Sequence, residues 1–375
     1  MRIDAPPAMP VSCSLSASEE GAWHDVTPAA FRAPSNLETW SIAVNPHDST
    51  VFAAAGNITN GCGGAGKPAC VATGVYKSSD CGGTWTLIST GRSSANLKTG
   101  DPWALRIDPD NPQNMYINNG YGNNPTLYRS TNGGVDWDPL VPDVLDALSL
   151  HMNFVQAVGM DPTDPKHLVI TFHDTCTLKL NGNCLSETMN GGDTWRELSG
   201  PSELTGWSEA SSITVFGKAS YLLTTPSGSG GGYFTSDGGA SWKKVVNGPA
   251  YGSYGGGAHI AADGNAYLAI ANIGVFYSRA TATSPLGASW TLIPGSKMGS
   301  VVFDDGTNLY VTWGFNGSHD YFTAPLAGLT SQTPPAFTAM TTNGASGANM
   351  LDYDPAHKIL YAAAIGSGIW RYVTR

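Results

Sequence analysis

Three carboxylates, three histidines and three tryptophans carry most of the chemistry open to this chain. Among the acids Asp174 is the most informative: Phe172-His173-Asp174 follows an apolar run at 168–171 and precedes a loop bracketed by Cys176 and Cys184. With Asp101 or Glu209 as partner it would supply the protonated acid and the ionised carboxylate that glycoside hydrolysis requires. Elimination beside a uronate carboxylate needs instead a His or Tyr base and a group that neutralises the carboxylate. His151, His173, His259, Tyr321 and Lys297 are of those types. The flat faces of Trp40, Trp103 and Trp207 suit the C–H faces of pyranoses, and Asn153 and Asn349 suit sugar hydroxyls. Each has a plainer reading as well: a Trp at a strand start is commonly core, and a His or Asp commonly ties down a loop. The residues are spread from 40 to 349. Only a fold that gathers many strand ends at one mouth can use them together.

A repeated turn points to such a fold. The segment 78–85, SSDCGGTW, returns as STNGGVDW at 130–137, TMNGGDTW at 188–195 and TSDGGASW at 235–242. A hydroxyl and an Asp or Asn side chain bond backbone N–H groups, glycines adopt positive φ, and the Trp buries beside the turn. The pattern resembles the Asp-box, or BNR, repeat (Ser-x-Asp-x-Gly-x-x-Trp) of sialidases, xyloglucanases and sortilin-like β-propellers. Asp80, Asn132, Asn190 and Asp237 are therefore expected to hold turns rather than to act on substrate or calcium. In the families it resembles, the turn lies away from the active-site face.

Between the turns, short apolar strands recur in pairs, often joined by Asn-Pro or Asp-Pro turns: 39–44 with 51–55, 103–107 with 115–118, and 154–160 with 167–172. Weaker copies follow at 211–215, 258–261, 300–303 and 350–353, which makes seven first strands. Residues 21–27, GAWHDVT, copy the strand that elsewhere follows an Asp-box. The expectation is an all-β protein: one seven-bladed β-propeller of four-stranded blades over 21–375, closed by an N-terminal strand that completes the last blade, after a tail or linker at 1–20. Closure of this kind hides the sheet edges.

In a propeller the loops entering the first strands and leaving the second ones share a mouth. All of the candidates above are expected there. The position of Asp174 at the end of a second strand resembles that of catalytic aspartates in family 74 xyloglucanases, but where the resemblance implies a second aspartate, in the first blade, the chain has Asn57. Residues 31–34, Phe-Arg-Ala-Pro, are similar to the Phe-Arg-Ile-Pro segment of sialidases. Those enzymes hold their substrate with three arginines, whereas Arg129 and Arg196 flank Asp-box hairpins here and Arg371 falls in the last strand.

The net charge of −10 and the absence of any Lys/Arg cluster exclude a nucleic-acid backbone or anionic membrane as an obvious partner. No stretch is apolar enough to span a bilayer. Six cysteines without C-x-x-C spacing suggest disulfides and export rather than zinc. Loop spacing suggests Cys62–Cys70, Cys176–Cys184 and Cys13–Cys81. Residues 1–20 lack the apolar core of a signal peptide, so an extracellular or periplasmic protein implies that a signal has been removed. The expected protein is a monomeric, secreted, polysaccharide-degrading enzyme without cofactor or metal, a glycoside hydrolase first. A uronate-directed lyase and a non-catalytic carbohydrate-binding propeller are the alternatives.

Overall fold

The computed structural model describes residues 12–32, 38–56, 73–120, 126–140, 154–172, 184–204, 212–226, 230–248, 257–314 and 320–374. They form seven four-stranded antiparallel sheets, one per blade, each running outward in sequence order from an inner strand. The inner strands are Glu38–Val44, Arg106–Ile107, Val155–Asp161, Ser212–Gly217, His259–Ile260, Val301–Asp304 and Ala348–Asp354. The seven-bladed expectation holds. The last blade takes its outer strand from the N-terminus: Trp23 pairs with Tyr372, His24 with Arg371 and Asp25 with Trp370.

The closure is packed as well as hydrogen-bonded. Trp23 is buried, its ring 4.6 Å from that of Tyr321 and 5.4 Å from that of Tyr372. Arg371 donates to the Cys81 carbonyl (2.7 Å) and to Glu19, which joins the last blade to the first Asp-box turn and to the N-terminal segment. Cys13 is disulfide-bonded to Cys81, as the spacing suggests, and Glu20 forms a bridge with Val373. Within 1–20 the described residues are thus tied to the ring, at Cys13, where the pairing implies an anchor, and again at Glu19 and Glu20. The other two proposed disulfides lie outside the described residues.

The four Asp-box turns share one bonding scheme. Asp80, Asn132, Asn190 and Asp237 each accept from the backbone N–H four residues on, at 2.8–2.9 Å. Ser78, Ser130, Thr188 and Thr235 each accept the N–H of the glycine four residues on, at 2.8–3.0 Å. Blade five keeps a remnant, with the Gly287 N–H on Ser278 Oγ at 2.8 Å. These side chains are engaged in holding their own turns, as the turn chemistry requires.

Inner strands of neighbouring blades are laced together. In blades one, three and seven the inner strand carries a bulge at Trp40, Gln156 and Asn349. A bulged residue leaves the ladder locally unpaired and re-aims its groups. The Trp40 carbonyl accepts from Asn349 Nδ2 of blade seven (2.7 Å), and the Gln156 carbonyl accepts from Trp103 Nε1 of blade two (2.6 Å). Ser41 Oγ donates to the Pro102 carbonyl (2.8 Å) and Asn118 Nδ2 to the Val155 carbonyl (3.0 Å). Buried polar groups cost little once paired in this way.

Candidate functional site

These interblade bonds correct part of the expected mouth. Trp40 and Trp103 are 7% and 1% exposed, meet edge to face at 5.7 Å, and Trp103 continues onto Phe154 at 5.3 Å. Gly120 lies so close to the Trp103 ring that a Cβ there would come within 2.2 Å of it. With no open ring face, neither is a sugar platform; both are core. Asn349 is fully buried as an interblade tie. Tyr321 is also buried, donating to the Ser346 carbonyl at 2.8 Å, and burial pushes its phenol far up, which removes it as a base. Asp101 is 2% exposed, with its backbone paired to Gly120 on both sides. It is a seam residue between blades one and two, not a mouth carboxylate. Lys297 is exposed and places its ammonium 5.5 Å from the Phe322 ring centroid, on the third strand of blade six rather than on an inner strand. Asp174, Glu209, His173, His151, Asn153 and Trp207 lie outside the described residues.

One predicted residue, His259, does face a cavity. A space of about 380 Å³ lies at the ring's centre, walled by inner strands from blades two to seven. Its polar side chains are Arg106, Thr214, His259 and Asp352, among apolar ones such as Met160, Val215 and Phe303. His259 stacks on Phe303 with ring centroids 4.2 Å apart, and its Nε2 meets Asp304 Oδ2 at 2.6 Å. Asp304 also accepts from the backbone N–H groups of Gly306 (2.7 Å) and Ala262 (3.3 Å). Burial alone would raise its carboxyl; the bond and charge of His259 and these N–H donors outweigh that and hold it low.

Asp352 goes the other way. Burial pushes its carboxyl up to about 6, against backbone N–H bonds from Val44 (2.7 Å) and Tyr353 (2.8 Å) and the charges of His259 and Arg106. Arg106 donates to the Val158 and Leu105 carbonyls at 3.0 Å. Burial lowers its guanidinium to about 10, offset in part by Asp352, so it stays a cation at neutral pH. The cavity is therefore lined by a cation, an acid whose pKa burial raises and a histidine bonded to a carboxylate behind it, in apolar walls, which makes it the candidate site among the described residues.

Arg106, Asp304 and Asp352 are not among the residues expected from the sequence, because they lie within inner strands and not in the loops that enter first strands or leave second ones. A signal was present: each is a charge next to apolar inner-strand neighbours, in Leu105-Arg106-Ile107, Phe303-Asp304 and Leu351-Asp352. A charge on an inner strand must find a partner or a cavity.

No protein-family profile matches the chain, and no curated protein does. Solved structures do. YCF48 from Cyanidioschyzon merolae superposes with a TM-score of 0.55 at 14% identity, over 94% of this chain and 98% of that one. A structure described as YCF48 bound to D1 peptide gives 0.56 at 12% identity, over 97% and 100%. The extracellular domain of the hybrid two-component system BT3049 from B. thetaiotaomicron gives 0.56 at 14% identity, over 89% of this chain and 39% of that one. At these identities the likeness is one of fold. Among the described residues, no helix is long and apolar enough to cross a membrane.

Proposed function

We propose that the chain is an exported carbohydrate-active propeller that hydrolyses an oligo- or polysaccharide at its central cavity. The observation that supports this most is the pair of carboxyl groups on adjacent inner strands, Asp304 and Asp352, whose environments push them apart. Hydrolysis of a glycoside wants one carboxyl protonated at the leaving oxygen and a second group drawing a proton from water. Asp352 fits the acid. Asp304, accepting from His259 Nε2, orients the ring so that Nδ1 carries the lone pair and acts as the base on water. Trp207, Asn153, His151, His173, Glu209 and Asp174 are proposed to hold the glycan as it enters, with Asp174 and Glu209 as a rival catalytic pair carried by the sequence alone.

A second reading has its own support. Arg106 would neutralise a uronate carboxylate, and His259 would then take the proton beside it, which is elimination rather than hydrolysis. Incubation with neutral and uronate-bearing polysaccharides separates these. New reducing ends alone mean hydrolysis, added absorbance of an unsaturated uronate means elimination, and binding without product means a lectin. Asp352→Asn and Asp174→Asn, assayed side by side, decide between the cavity and the rim.

A further inference from the structure

The first Asp-box turn differs from the others at one position. Where the other three boxes place Gly133, Gly191 and Gly238 at φ of 69°, 73° and 68°, the first places Cys81, at φ 60°. A side chain in the left-handed region costs about 1 kcal/mol that glycine avoids, so the thiol at this position is there for its sulfur. Its disulfide with Cys13 is one use. A third group lies beside it: a ring nitrogen of His357, from the turn after the inner strand of blade seven, lies with the sulfurs of Cys13 and Cys81 so that all three atoms are within 4.8 Å of one another.

His357 is held as metal-ligating histidines are. Its Nδ1 meets Asp354 Oδ2 at 2.6 Å, which leaves Nε2 as the second ring nitrogen. Asp354 is fully buried and is itself fixed by Ser49 Oγ (2.7 Å) and the Ala356 N–H (3.0 Å). Two thiolates and an imidazole make a soft set that suits zinc. The pairwise spacing of these residues gave no zinc pattern in the sequence because they come from three segments brought together only by ring closure.

We propose that Cys13, Cys81 and His357 form a redox-gated zinc site. A dithiol or phosphine reductant gives two electrons to the S–S bond, which breaks to two thiols as the reductant is oxidised. Zn²⁺ then displaces the two thiol protons, takes the lone pair of the neutral imidazole, and keeps water in the fourth position. The N-terminal strap and the turn of blade one stay joined in both redox states, by sulfur–sulfur in one and by metal in the other, and the metal adds the turn of blade seven through His357.

The test uses Co²⁺ as a spectroscopic stand-in on the full chain, folded oxidised and then reduced with a phosphine. One equivalent should bind with sulfur-to-metal charge transfer and tetrahedral d–d bands. Cys13→Ser and Cys81→Ser should lose the charge-transfer band, His357→Ala should lose the tetrahedral bands, and Asp354→Asn should weaken binding roughly tenfold to a hundredfold. Replacing Cys62, Cys70, Cys176 and Cys184 by Ser should leave the site intact. His357→Ala keeps both cysteines and is made oxidised, so failure to fold does not cloud it. Metal binding that is equal in oxidised protein, absent after reduction, or unchanged in His357→Ala overturns the proposal.

Discussion

Two of the histidine–carboxylate clusters among the described residues, at His167 and at His259, differ in access rather than in composition. His167, in blade three, is sealed: its Nδ1 meets Asp161 at 2.9 Å, its Nε2 meets Glu187 at 3.0 Å, and all three are 1% exposed or less. Glu187 is also bonded by Tyr221 and Arg196, so its lone pairs are consumed. His259 has one carboxylate partner, a ring face on Phe303 and an edge on the central cavity. The same residue types make a strut where both ring nitrogens are bonded to carboxylates and a candidate catalyst where the ring borders a cavity.

The largest expected effect lies at the strut. Glu187→Ala would strand His167 and Tyr221 and should cost about 3–5 kcal/mol in urea unfolding, with ligand handling intact in whatever protein remains folded. Asp304→Asn should do the reverse, costing about 1–2 kcal/mol while removing most activity or binding. Equal stability losses at both sites would erase the distinction.

Acid and base should separate the clusters next. Burial disfavours a charged His167, but the bonds to Glu187 and Asp161 outweigh it and raise its pKa. Its contribution is then complete below its ordinary value of about 6.5 and is lost as pH rises through the folded value. For Asp161 and Glu187, burial opposes the charged form, and the bonds to His167 and its neighbours outweigh it and lower both. Their contribution is complete above about 4.5 and is lost as pH falls through the folded values. Stability measured relative to His167→Gln should therefore be greatest between about 4.5 and 6.5. A difference that neither falls below that range nor above it would show that the cluster is neutral.

A separate test bears on the core. Trp103→Ala should cost about 3–5 kcal/mol in stability, as a truncated core aromatic does, rather than weaken sugar binding in a stable protein.

The ring was legible in the sequence because its information is local and repeated. Each Asp-box turn satisfies its own backbone, and the orphan strand at Trp23 could pair only where a blade lacked one. The site was less legible. Trp40 and Asn349 stand at the strand starts as expected, and Trp103 lies just ahead of its strand, yet bulges and interblade bonds turn them into seams, and no local pattern announces that a carbonyl in one blade will accept from its neighbour. Arg106 and Asp352 reach the cavity from within inner strands, and their shared destination exists only once the ring has closed.

The central claim is that the cavity, through Asp352, does the chemistry. It is tested most directly by the pH dependence of reducing-end release from whichever polysaccharide the protein cleaves, wild type against Asp352→Asn. The rate in the wild type should fall as pH rises through about 6, where Asp352 loses its proton. Asp352→Asn should be slower by roughly 10²- to 10⁴-fold and lack that limb. A variant that keeps both the rate and the limb would contradict the account.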